Sequence, residues 1–230
     1  MTNLNEIVKK LKQIPYCEGI IFAGSRREGD HDKNSDYDFT VLISKGKSYY
    51  SIFRYKNLLV DICVATEDVI AKQDLVRRRI ANPELGIIVF GEIQYDKSGN
   101  MKRLQNAARV VWKRGPDKMT TQDKNEAGYL FATFTHKLEK DKDGVAYYSL
   151  NEVIKKTIPL FFRLHGAWQP KFFEVEPTLR KIDPIFFKLY RRMNQAVGTK
   201  RVKTMIEMLK YLTKKYKLPN TGEIYIKKGN

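Results

Sequence analysis

The sequence is poor in cysteine, in histidine and in uninterrupted apolar stretches. Its two cysteines, Cys17 and Cys63, lie in or beside apolar runs. Each reads as a small buried hydrophobe, which argues against a disulfide framework or a thiolate metal site. The three histidines, His31, His136 and His165, lack metal-ligand spacing and read as ordinary polar contacts. No window approaches the ~20 apolar residues of a membrane span. The opening MTNLNEIVKKLKQI is a charged amphipathic helix without the apolar centre of a secretory signal, so the expectation is a cytoplasmic protein with no membrane partner. Repeats and low-complexity tracts are missing as well.

Acid is also in short supply. Forty-three Lys and Arg face 26 Asp and Glu, a formal charge of +17, while a hydrophobic content of 42% supports a packed core. The basic excess suits a polyanionic or phosphate-bearing partner, nucleic acid included, or it is a set of lysines on solvated helix faces. Both readings stay open at this point.

Along the chain, Leu4, Ile7, Val8, Leu11 and Ile14 form a helical stripe ended by Pro15, with Asn3 and Glu6 as a capping pair. Strands are expected over Gly19–Ala23, Asp36–Ser44, Tyr49–Tyr55 and Leu58–Ala65, and again over the apolar run Gly86–Phe90. Between them, Thr66 with Glu67 and Asp68 starts a helix to about Ile80, and another covers Met101–Trp112. Arg114–Thr121, with Gly115-Pro116 as breakers, reads as a linker. Long helices follow over about 122–140, ended by Lys142-Asp143-Gly144, then over 145–165 with Pro159 inside, 177–196 and 200–216, and the tail holds a short strand. The expected fold is α+β: a mixed sheet with flanking helices in residues 1–114, then an all-α helical bundle in 121–230.

The chemistry-bearing residues gather in one stretch, GIIFAGSRREGDHDKNSDYDF, Gly19 to Phe39. An apolar strand leads into Gly24-Ser25, and Gly29 completes a G-S-x-x-x-G spacing. Gly24 lets the backbone turn and approach a phosphate, and Ser25 offers a hydroxyl and an N–H. Arg26, Arg27 and Lys33 place cations in the same loop. Asp36 and Asp38, two residues apart, send two carboxylates to one side of a strand. Adjacent anions repel unless a cation sits between them, and hard oxygen ligands favour magnesium. Asp61 adds a third carboxylate inside LLVDICVA, where an unpaired charge is costly.

This order of strand, Gly-Ser, loop, Asp-x-Asp and later carboxylate resembles the nucleotidyltransferase superfamily. Beyond that core, FGEIQYDKSGNMKRL and HGAWQPKFFEVEPTLRKIDP are similar to segments of the antibiotic (aminoglycoside- and lincosamide-type) nucleotidyltransferase-like proteins. The resemblance implies magnesium-dependent transfer of a nucleoside monophosphate, AMP from ATP, onto a hydroxyl of a small-molecule acceptor. It assigns Asp36, Asp38 and Asp61 to the metal ions, with Asp61 also the general base. Gly24, Ser25, Arg26, Arg27 and Lys33 would hold the nucleotide. Glu84 and Glu92 are alternative bases.

The helical half would bind the acceptor, with Tyr147, Tyr148, Glu152, Arg163 and Trp168 as residues of interest, and Phe161, Phe162, Phe186 and Phe187 as core. From Lys188 to Lys217 ten Lys or Arg accompany a single acid, Glu207. That balance opposes a cationic aminoglycoside and suits an anionic acceptor such as tRNA or a phosphorylated metabolite. Nucleotidyl transfer to RNA or to protein, and a non-catalytic nucleotide- or RNA-binding protein on the same fold, are the alternatives.

Overall fold

The computed structural model describes residues 2–29, 35–82, 84–140, 147–171 and 174–219. The expected end of the helix at Lys142–Gly144, the tail strand, His31 and Lys33 lie outside them. The chain divides into two compact units, Met1–Pro116 and Asp117–Asn230.

The first unit is built on a five-stranded mixed sheet. Its strands are β1 (Cys17–Ala23), β2 (Tyr37–Ile43), β3 (Tyr49–Tyr55), β4 (Leu58–Ala65) and β5 (Glu92–Asp96), in the order β3-β4-β2-β1-β5. Only β2 and β4 run parallel; the other neighbours are antiparallel. Period-two alternation sorts the side chains. Ile20, Phe22, Phe39, Val41, Val60, Ile62 and Val64 face helix α1 (Thr2–Leu11), whose Ile7, Val8 and Leu11 close one core.

The opposite face carries Ile21, Thr40 and Leu42 and is covered by helices α4 (Leu85–Phe90) and α5 (Asn100–Arg114), with α3 (Glu67–Ile80) packed beside α4. Gly19 has to be glycine here, because a Cβ would stand 2.7 Å from the Cβ of Met101. Asp96 caps α5 by accepting from the Met101 and Lys102 N–H groups. Gln105, 4% exposed, ties α5 to the carbonyls of Ile88 and Gly91.

Three expectations need correction. The apolar run Gly86–Phe90 is not a strand but most of α4, and β5 begins only after Gly91. A short continuous apolar run fits either period; here Leu85, Ile88 and Val89 are buried at helical spacing. Asn3 and Glu6 do not cap α1, which already starts at Thr2. Instead both accept from the Lys56 ammonium, and Glu6 also accepts from the Tyr55 hydroxyl at 2.5 Å. The helix expected over 177–196 is two helices, α8 (Val175–Ile182) and α9 (Pro184–Gln195). Pro184 lacks an N–H and forces Asp183 out of helical geometry.

The regular elements of the second unit among the described residues are all helices: α6 (Thr121–Lys140), α7 (Tyr147–Leu164), α8, α9 and α10 (Gly198–Lys215). Thr120 and Asp123 form a reciprocal cap at the start of α6. Phe131, Phe161, Phe162, Phe186, Met205 and Leu209 are fully buried at its centre. Phe187 departs from the expectation: it is half-buried at the edge of that core. Among the described residues no helix is long and apolar enough to cross a membrane.

Candidate active site

The parallel pairing of β2 with β4 sets Asp38 beside Asp61 on one rung of the ladder, both on the face away from α1. Asp36 lies just before β2 rather than in it, yet its carboxylate joins them. Oxygen atoms of Asp36, Asp38 and Asp61 all lie within 4.8 Å of one another, and all three residues are half-buried. Burial first, and the charge of Asp36 second, push the Asp61 carboxyl above its ordinary range. Three oxygen donors this close repel one another, and the set fits a hard divalent ion such as magnesium.

Gly24 closes the site from the side of β1. Its backbone has φ +80°, and a Cβ there would stand 1.8 Å from the Asp38 carboxylate oxygen. Any side chain would displace the aspartate, so the residue that turns the chain also makes room for the carboxylate. Ser25 opens the single helical turn α2 (Ser25–Glu28), which ends at Gly29 with φ +87°. What reads as an open charged loop therefore begins as helix.

Arg26 is a strut. Its Nε–H donates to the Ser35 carbonyl at 2.7 Å, and its guanidinium lies 4.7 Å from the Tyr37 ring centre. It fastens α2 to the approach of β2, bracing Asp36 and Asp38 from outside. Arg27 is exposed.

A cavity of about 260 Å³ continues from Asp38 and Asp61 under α3 and α4. Thr40 and Cys63 form its floor, two residues beyond each aspartate, with Tyr50, Gln73, Arg77 and Glu84 around it. Cys63 corrects an expectation. It is half-buried on the aspartate face, not a buried hydrophobe, whereas Cys17 is buried; both are free thiols. Burial pushes the Cys63 thiol up, which keeps it protonated at neutral pH. Gln73 donates to the Tyr50 hydroxyl at 3.4 Å. Arg77, its side chain 13% exposed, pairs with Asp74 at 3.1 Å and Glu84 at 3.4 Å. On the other side of Asp61, across the β3–β4 ladder, stands Ile52, 63% exposed.

Of the alternative bases, Glu84 lines this cavity, while Glu92 is exposed on β5 opposite Phe22. Thr40 and Cys63 follow from the alternation that places the aspartates. Tyr50, Gln73 and Arg77 reach the site from other elements and carry no signal in the sequence.

The helical unit places the remaining candidates. Arg163 is committed to Asp123 in a buried pair at 2.7 Å, and Glu152 pairs with Lys155 at the surface. Trp168 is half-buried; the side chains of Tyr147 and Tyr148 lie outside the described residues. His165 has its pKa lowered chiefly by burial and contacts the Tyr216 hydroxyl at 2.7 Å.

Residues 5–92 match the family described as "Polymerase beta, Nucleotidyltransferase", a span that holds every residue of the acidic cluster and Gly24. No curated protein matches the chain. Among solved structures, a nucleotidyltransferase-like protein from Exiguobacterium sibiricum 255-15 is similar at 18% identity and TM-score 0.46, covering 92% of this chain and 73% of that one.

Proposed function

Residues 5–92 belong to the polymerase beta type of the nucleotidyltransferase superfamily, and on that premise we propose that the protein transfers a nucleoside monophosphate, AMP from ATP, to an acceptor hydroxyl. The observation that carries this reading is the convergence of Asp36, Asp38 and Asp61 within 4.8 Å, with Gly24 against Asp38. Asp36, Asp38 and Asp61 would hold magnesium. Bound there, the metal would neutralise charge on the triphosphate and lower the pKa of the attacking hydroxyl.

The backbone at Gly24 and Ser25 would seat the β- and γ-phosphates, with Arg27 and Lys33 supplying outer charge and Arg26 holding the turn in shape. The acceptor oxygen attacks the α-phosphorus, the bond from that phosphorus to the β-bridging oxygen breaks, and pyrophosphate leaves. Asp61 would take the hydroxyl proton as general base. The cavity beside Asp61, with exposed Tyr50 at its rim, suits a small acceptor. Transfer to nucleic acid is the second reading, supported by the charge of the helical unit.

Incubation with α-labelled ATP and magnesium, with candidate acceptors, tests the proposal through pyrophosphate release and acceptor labelling. Asp38→Asn is expected to lower turnover on the order of a thousandfold, the loss of several kcal/mol of charge stabilisation. Unchanged turnover in that variant would sink the reading.

A further inference from the structure

Residues 117–230 carry 23 Lys and Arg against 12 Asp and Glu, and α9 gathers part of that excess on one face. Pro184, Phe187, Lys188, Arg191, Arg192 and Gln195 follow one another at helical spacing. With Arg180 of α8 they line a groove of about 540 Å³ that has no acid in its wall. Two of the acids nearest in sequence are already engaged. Asp183, 3% exposed, accepts from the Phe186 N–H, the Tyr211 hydroxyl and the Lys215 ammonium, while Glu207 pairs with Arg192. Glu176, one turn before Arg180, makes no ion pair among the described residues. Arg180, Lys188 and Arg191 are exposed and have no ion-pair partner among the described residues either.

Lys188 and Arg191, about one helical turn apart on α9, and Arg180 on α8 give the groove a cationic wall that attracts a polyanion. Phe187 adds the second feature. It packs on the core on one side and opens to the groove on the other. A lipid surface needs a broad apolar face to enter, and this groove offers one half-buried ring. A nucleic-acid strand uses both features, phosphates following the cations and a base stacking on the ring. We propose that the α8–α9 groove is a docking surface for single-stranded nucleic acid. It stands on the helical unit alone and does not depend on the aspartates.

Fluorescence anisotropy of the full chain with a labelled oligouridylate, without nucleotide or divalent metal, tests it. Affinity should fall steeply with salt. The triple variant Arg180→Ala, Lys188→Ala, Arg191→Ala should weaken binding about tenfold or more. It should also flatten the log–log salt slope by about 2, at ~0.7 per phosphate contact on a single strand. Lys102→Ala, Lys113→Ala, Arg114→Ala on α5 removes the same charge and should leave affinity within about twofold, the groove's contacts being untouched. Phe187→Leu should weaken binding severalfold at an unchanged slope, since it removes stacking and keeps the packing.

Equal losses in the two triple variants would reduce the effect to bulk charge and overturn the groove. Absence of binding would overturn it too, as would capture by phosphatidylserine vesicles in preference to the oligonucleotide. An unchanged Phe187→Leu affinity would overturn the ring's part. Because ATP and magnesium are absent from the assay, its failure leaves nucleotidyl transfer standing, and failed transfer leaves the groove standing.

Discussion

Asp61 pays for its position among other acids. Its folded pKa lies above the unfolded value because burial and Asp36 disfavour the ionised form. The sign follows: the folded state is favoured while the group is protonated, and that advantage is lost as pH rises through the carboxylate range. Without metal at neutral pH, Asp61→Asn should therefore raise Tm, on the order of 2 °C. Magnesium should raise the wild-type Tm and leave that of the variant nearly unmoved, readable by thermal shift with EDTA and magnesium arms. Gly24→Ala should act the opposite way, costing ~1–3 kcal/mol for a strained positive φ and at least tenfold in turnover. A urea melt beside the pyrophosphate assay separates those two losses. At this scale much of the site is legible. The spacing of Asp36 and Asp38, the lone acid at Asp61 and the glycine at 24 are visible in the residues themselves. Arg26 is visible as a cation, but its bond to Ser35 depends on where the chain returns.

Elements are harder to read where one residue has two uses. Asp183 ends α8 and caps α9, and it also receives Lys215 and Tyr211 from α10. Burial pushes its carboxyl up, but the Lys215 ammonium, the Phe186 N–H and the Tyr211 hydroxyl outweigh that and hold it below the usual range. A depressed folded pKa stabilises the fold above the unfolded pKa, near 3.9, and is lost as pH falls through the lower folded value. Asp183→Asn should cost about 1.5–3 kcal/mol at pH 7, since it removes the charged acceptor of Lys215, Tyr211 and the Phe186 N–H. It should also flatten the acid limb of stability between neutral pH and about pH 3. Circular dichroism melts at the two pH values check both effects. The break itself is readable from Asp183-Pro184; the α10 partners are not, because they arrive from 28 and 32 residues away. The α4 run fails for another reason: six residues of apolar sequence fit either period until a sheet neighbour is known.

At the scale of the molecule, each unit has a separate apolar core, and the charge falls unequally between them. Residues 1–116 contain the whole acidic cluster, Gly24 and the sheet that aligns them. This fragment is expected to fold cooperatively and to bind ATP with magnesium. Calorimetric titration and a thermal melt of the fragment would test that, and a fragment without cooperative unfolding would refute it. The division into a sheet part and a helical part follows from the change of hydrophobic period near Gly115-Pro116. The distribution of free charge does not, because it depends on which acids are consumed inside the fold.

The shared rung of Asp38 and Asp61 also bears on protein engineering. The alignment is held by the β2–β4 ladder, whereas the chain between them makes an exposed turn at residues 44–48 before entering β3. Extra sequence spliced in between Gly46 and Lys47 would lengthen that detour without shifting either aspartate along its strand. One residue added between Asp38 and Val41 would instead throw the rest of β2 onto the wrong face. The turn is thus a natural port for a reporter or an affinity tag at the end of β2 remote from Asp38, and the strand beside it tolerates no such cargo.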